Sequence, residues 1–100
     1  IGPYLVTKDE ILDINNLSLT LDINEKRMQC GNTKNMIFNT NFLLSYLSKF
    51  MSLQPGDIVT TGTPAGVGMG MKPPVFLKPG DKIKLSIDNL GEQNSKVITE

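Results

Sequence analysis

Apolar and polar residues alternate most regularly between Leu17 and Asn24. Leu17, Leu19, Leu21 and Ile23 share one parity, and Ser18, Thr20, Asp22 and Asn24 the other. A period of two over eight residues predicts a strand with one face buried and one face wet. Asn24-Glu25-Lys26 then predicts a turn, with Arg27 to Cys30 returning as a short antiparallel partner. Asn-Glu is a poorer pair for such a turn than Asn-Gly, because glutamate resists positive φ. From Phe42 the period changes. Phe42, Leu43, Tyr46, Leu47 and Phe50 form one apolar face of a three-turn helix, predicted over about 40–51. Asn39 or Thr40 is its N-cap, and Pro55-Gly56 its stop. Near the start, Thr7-Lys8-Asp9-Glu10 has the form of a capping box and predicts one helical turn ending near Asp13.

One turn device occurs twice. Leu53-Gln54-Pro55-Gly56-Asp57 and Leu77-Lys78-Pro79-Gly80-Asp81 are near copies. Proline then glycine fits the central positions of a type II turn, whose second residue needs positive φ. Strands are predicted after each copy, over Ile58-Val59-Thr60-Thr61 and over the alternating Ile83, Leu85 and Ile87. A last strand, Ser95 to Thr99, is joined through Asn89-Leu90-Gly91. Five or six short strands and one substantial helix make an α+β chain with a mainly antiparallel sheet.

At 100 residues the chain is one domain at most. Ten Lys and Arg balance ten Asp and Glu, so charge supplies no reason for nucleic acid or an anionic membrane as partner. Near-neutral small domains do favour self-association. With no histidine, this chain supplies no Ser-His or Cys-His pair and no imidazole metal ligand. The single cysteine, Cys30, forms no internal disulfide or thiolate cluster, and with no base beside it reads as a buried or inert thiol. Together with the lack of a signal-peptide pattern, this points to a reducing cytoplasm. The apolar runs are too short to span a bilayer. Ile1-Gly2-Pro3-Tyr4 reads like the inside of a domain, so the chain is expected to be a piece of something longer.

Candidate chemistry concentrates in Thr60-Thr61-Gly62-Thr63-Pro64-Ala65-Gly66-Val67-Gly68-Met69-Gly70. Glycines let backbone N–H groups approach an anion, and threonine hydroxyls add donors. The glycine spacing is wrong for a dinucleotide fingerprint, and Met71-Lys72-Pro73-Pro74 cannot open a normal helix. The Gly-Lys-Ser/Thr ending of a phosphate P-loop is missing. A plain bend between strands and a carboxylate cradle both remain. Met69 and Met71 either line an apolar wall or lie exposed. Asp9, Glu10 and Asp13 lie close enough for a hard cation, but the capping box accounts for Glu10, and acids suit a first helical turn. Asp57 and Asp81 read as turn acceptors.

The run Gly56-Asp57-Ile58-Val59-Thr60-Thr61-Gly62-Thr63-Pro64-Ala65-Gly66-Val67-Gly68 closely resembles the strand-and-loop signature of the fumarylacetoacetate hydrolase family. Gly2-Pro3-Tyr4-Leu5-Val6-Thr7, Asp9-Glu10-Ile11, the strand from Leu17, Gly31-Asn32-Thr33 with Met36-Ile37-Phe38, the helix to Phe50, and Leu77 to Asp81 follow in the family's order. The resemblance extends to about Val97. It departs at Asn24-Glu25, where the family commonly has Asn-Gly.

The resemblance implies that residues 1–100 are the C-terminal portion of a single catalytic domain, a mixed, mainly antiparallel β-roll, homodimeric when complete. Family members use Mg²⁺, or Mn²⁺ or Ca²⁺, to act on small 2-oxo or enol (di)carboxylates by C–C hydrolysis, decarboxylation or isomerisation. The form Thr61 to Gly68 is typical of the 2-hydroxyhepta-2,4-diene-1,7-dioate isomerase and acylpyruvase branch. Carried over by position, Thr63 would donate to the substrate carboxylate and Gly62 would permit close backbone approach. The family's metal-binding acids, its lysine and its His-Glu pair lie upstream. This chain is therefore expected to hold no metal ligand or catalytic residue and to be inactive alone. The alternative is a non-catalytic truncated remnant, or a dimerisation or ligand-binding module without the metal site.

Overall fold

A computed structural model describes residues 1–99. Its frame is one antiparallel sheet of β1 (Ser18–Ile23), β2 (Lys26–Asn32), β3 (Lys82–Ile87) and β4 (Gly91–Lys96), in the order β2-β1-β3-β4. The alternating segment becomes the inner strand β1. Leu19 lies between Gly31 and Ile87, and Leu21 between Gln29 and Leu85. Paired residues in such a ladder point to the same side, so these positions share one largely apolar face. On the other face, the Thr20 and Ser86 hydroxyls bond at 2.9 Å, Arg27 pairs with Asp22, and Lys84 pairs with Glu92 at 2.9 Å. Thr33 secures the entry to β1. Its backbone N–H donates to the Leu17 carbonyl, and its Oγ1 accepts from the Leu17 N–H while donating to the Ile14 carbonyl. Among the described residues, Leu17 alone is a buried hydrophobic.

The turn at Asn24-Glu25 is a tight two-residue hairpin despite its glutamate. Ile23 pairs with Lys26, and Asn24 and Glu25 take φ of 49° and 67°. Positive φ at both positions is the type I′ pattern, which matches the strands' right-handed twist. Asn24 anchors it: its N–H donates to the Lys82 carbonyl, Oδ1 accepts from the Lys82 N–H, and Nδ2 donates to Asp81. These contacts hold the hairpin in place with Glu25 in an unfavourable region. Across β1–β2 the register shifts by one residue, so Met28 is an extra residue bulging from β2.

Both Pro-Gly copies form the same turn. Gly56 and Gly80 have φ of 97° and 96°, and Asp57 and Asp81 donate their N–H groups to the carbonyls of Gln54 and Lys78 at 3.0 Å. Each carboxylate accepts from the N–H of that same residue at 2.8 Å, which makes Asp57 and Asp81 turn acceptors.

Helix α1 spans Thr40–Leu47, with the Asn39 side chain accepting from the Phe42 N–H. The predicted segment 48–51 is a series of tight turns, ending in Met51 N–H to Leu47 C=O. Its apolar face divides in two. Leu43 and Leu47 are half-buried, while Phe42, Tyr46 and Phe50 continue an exposed aromatic row from Phe38.

Four strands form among the described residues rather than five or six. Ile58–Thr61 belongs to no strand, because the edge strands are β2 and β4 and this segment pairs with neither. The last strand begins earlier than predicted, at Gly91, because the turn at Asn89 (φ 61°) brings Gly91 opposite Ile87. The capping box also differs. Lys8–Glu10 is a single 3₁₀ turn whose Thr7 hydroxyl caps no backbone N–H. The Asp9 carboxyl is held below its ordinary value, chiefly by the nearby Thr7 hydroxyl and then by its own backbone N–H. No helix among the described residues is long and apolar enough to cross a membrane.

Two outcomes follow for stability. Glu25→Gly removes the left-handed strain and is expected to stabilise the fold by about 1 kcal/mol, read as a higher urea midpoint. Asp81 is held below its ordinary 3.8 by the Asn24 amide and then by the Lys78 backbone N–H. A depressed carboxylate stabilises above its unfolded value, and that contribution is lost as the pH falls through the lower folded value. Asp81→Asn is therefore expected to reduce the fall in urea midpoint below pH 4 and to lower the midpoint at neutral pH.

Candidate functional site

The glycine-rich loop crosses the apolar face of the sheet at β2. Gly31 makes this possible, since a Cβ there would meet the Pro64 Cβ at 2.8 Å. Gly66 approaches closer still. It has a φ of +105°, and an added Cβ would lie 2.0 Å from the carbonyl oxygen of the bulged Met28. Further on, a Cβ at Gly68 would lie 2.0 Å from the Val75 carbonyl oxygen, and the Val75 N–H donates to the Gly68 carbonyl at 2.9 Å. Glycine is needed here because backbone packs on backbone.

Between this loop and the segment after β2 lies an open cleft of about 540 Å³. Met36, Ile37, Phe38 and Leu43 make an apolar wall, with Thr61 to Ala65 opposite. None of the residues lining it carries a carboxylate, ammonium or guanidinium group. An anion in this cleft would therefore meet neutral donors.

Thr63 and Gly62, the two expected binding residues, stand side by side in that lining. Gly62 has a φ of +88°, and nothing lies within 4 Å of the position a Cβ would occupy. Unlike Gly66, its backbone is open to a ligand. Thr63 is exposed, and its Oγ1 accepts a 2.9 Å hydrogen bond from Gln29 Nε2. Gln29 also donates to the Pro64 carbonyl at 2.9 Å. The alternation pattern gave Gln29 no prominence, because the extra residue at Met28 breaks the parity of β2 just before it.

Cys30 borders the cleft, and the other candidates lie away from it. Cys30 is exposed in the lining rather than buried, because its position opposite Thr20 turns it from the apolar face. Met69 is exposed, Met71 is half-buried, and neither lines the cleft. Asp13 accepts from the Asn15 N–H at 2.9 Å in a local turn. Among the described residues, no three Asp, Glu or Cys side chains gather as a set of metal ligands.

The family profile described as fumarylacetoacetate (FAA) hydrolase C-terminal matches residues 1–98. The chain belongs to the fumarylacetoacetate hydrolase family. A Burkholderia cenocepacia relative is 58% identical over 94 residues, covering 93% of this chain. The family member from Exiguobacterium antarcticum, a fumarylacetoacetate hydrolase, superposes with a TM-score of 0.94 at 40% identity, covering 99% of this chain and 35% of that one. Maleylpyruvate hydrolase of Sphingobium sp. SYK-6, solved with manganese(II) and pyruvate, has a TM-score of 0.85 at 37% identity, covering 97% and 34%. The 2-hydroxyhepta-2,4-diene-1,7-dioate isomerase of Mycobacterium marinum has a TM-score of 0.80 at 33% identity, covering 97% and 34%. This chain spans about a third of the length of the curated relatives it matches, 33% for the Burkholderia protein. Hydrolases and isomerases of the family thus share this α+β portion.

The glycine geometry yields a paired expectation. Gly66→Ala should destabilise the fold by about 3 kcal/mol, combining left-handed strain with a clash against Met28. Gly70→Ala, with open space at its Cβ position, should change the thermal midpoint little. Comparable melting of the two variants would show that the loop does not pack on β2.

Proposed function

We propose that this chain is the carboxylate-binding wall of a fumarylacetoacetate hydrolase-family catalytic domain, acting when complete on a small 2-oxo or enol (di)carboxylate. The reaction is C–C hydrolysis, decarboxylation or isomerisation. The observation that carries this reading is the pairing of Thr63 with an open Gly62 in a cleft without charged walls. A hydroxyl donating to a carboxylate makes a charge-assisted hydrogen bond, stronger than one between neutral groups. Gly62 lets the ligand reach the backbone, and Ile37 and Phe38 supply apolar surface in the same lining. The manganese and pyruvate in the Sphingobium hydrolase structure fit a ligand of this class.

Among the described residues, no three Asp, Glu or Cys side chains gather as they would around a divalent cation. In this reading the cation, whose chemistry is Lewis-acid activation of an oxo or enolate oxygen, is held by the rest of a complete domain. The surface supports such a partition. The chain exposes 8199 Å², against about 5,600 Å² for a compact monomer of its mass. Completion of the domain, with homodimer formation, would cover the aromatic row and other apolar positions.

Thr63→Ala in the complete enzyme removes one charge-assisted bond. It is expected to raise the Kd for pyruvate in Mn²⁺ by about 10–100-fold, read by isothermal titration. An unchanged Kd would take Thr63 out of the site. Absence of pyruvate binding by the unaltered enzyme would favour the non-catalytic alternative.

A further inference from the structure

Gln29 places a carboxamide among apolar neighbours, opposite Leu21 on the face that the loop covers. Both of its short contacts run to the loop, 2.9 Å to Thr63 Oγ1 and 2.9 Å to the Pro64 carbonyl oxygen. A proline carbonyl can only accept, so the atom facing it is the amide nitrogen, and that same nitrogen donates to Thr63. This determines what the hydroxyl can do. Oγ1 has one proton and two acceptor sites, and Gln29 fills one of the acceptor sites. In the absence of a ligand the hydroxyl donates its proton to the Pro64 carbonyl over a long 3.2 Å. Gln29 already donates to that carbonyl. A ligand carboxylate is a stronger acceptor than that shared carbonyl and would draw the hydroxyl proton to itself, and donation into Oγ1 strengthens the hydroxyl as a donor in turn.

We propose that Gln29 is a positioning residue that commits the Thr63 hydroxyl to donating, and so sets the cleft's preference for a carboxylate over a neutral group of the same shape. The inference rests on the carboxylate-binding role proposed above for Thr63. Gln29 itself touches no ligand. Its replacement by an acceptor should reverse the selectivity. In Gln29→Glu the new carboxylate would accept the Thr63 proton, so the oxygen would present lone pairs to the ligand.

The test uses the complete enzyme with Mn²⁺ and two probes, pyruvate and its neutral analogue pyruvamide. The unaltered enzyme is expected to prefer pyruvate. Gln29→Met, similar in size but without donors, should weaken pyruvate binding by about fivefold or more while changing pyruvamide little. Gln29→Glu should lower the pyruvate-to-pyruvamide ratio further. In a Thr63→Val background, Gln29→Met should have little added effect, because it acts through that hydroxyl. Gln29→Met decides the matter alone if the glutamate variant does not fold. An equal loss for both probes, or effects that add in full with Thr63→Val, would overturn the inference while leaving Thr63 as a ligand contact. Failure of the unaltered enzyme to bind pyruvate would overturn both readings.

Discussion

The site depends on backbone lying against backbone where the glycine loop meets β2. Gly66 lies against the carbonyl of the extra residue, Met28, leaving no room for a Cβ. Gly31 admits Pro64 by the same means. These two contacts pin the loop at Pro64 and Gly66, and Gly62 and Thr63 lie immediately before the first of them. A bulge makes the arrangement possible because it re-aims the strand at one point without unravelling the ladder.

Local hydrogen bonds account for much of the order away from that contact. A side chain buried in apolar surroundings contributes about 1.5–3 kcal/mol, and among the described residues only Leu17 is a buried hydrophobic. Turns compensate in part. Asp81 bonds both Asn24 and Lys78, so the tip of the β1–β2 hairpin is held to the second Pro-Gly turn. The exposed aromatic row beginning at Phe38 is held by ring stacking along its length. The chain therefore shapes a wall more completely than it builds a core.

The two kinds of glycine in the loop divide its work. Gly66 and Gly68 are needed because other backbone occupies the space of a side chain, whereas Gly62 faces open space at positive φ. Glycines of one loop thus meet packed backbone at one position and open space at another. Neutral donors suit such a cleft, since a fixed hydroxyl can favour an anion without an unpaired buried charge.

The alternating segment at β1, the helix period from Phe42, the repeated Pro-Gly-Asp turn and the Gly-Thr-Pro loop were all legible in the sequence. Each is written in neighbouring residues through periodicity, caps or φ requirements. The family resemblance rested on such local signatures in order. What lay beyond reach depended on partners distant in the chain. Ile58–Thr61 has strand-forming residues yet no strand beside it. Glu25 occupies left-handed space in a hairpin that Asn24 ties to residues more than fifty positions away. Gln29 gained its partners only when the bulge and the loop came together. Local preferences chose the elements, and tertiary structure decided which donor met which acceptor, because a hydrogen bond depends on distance in space rather than along the chain.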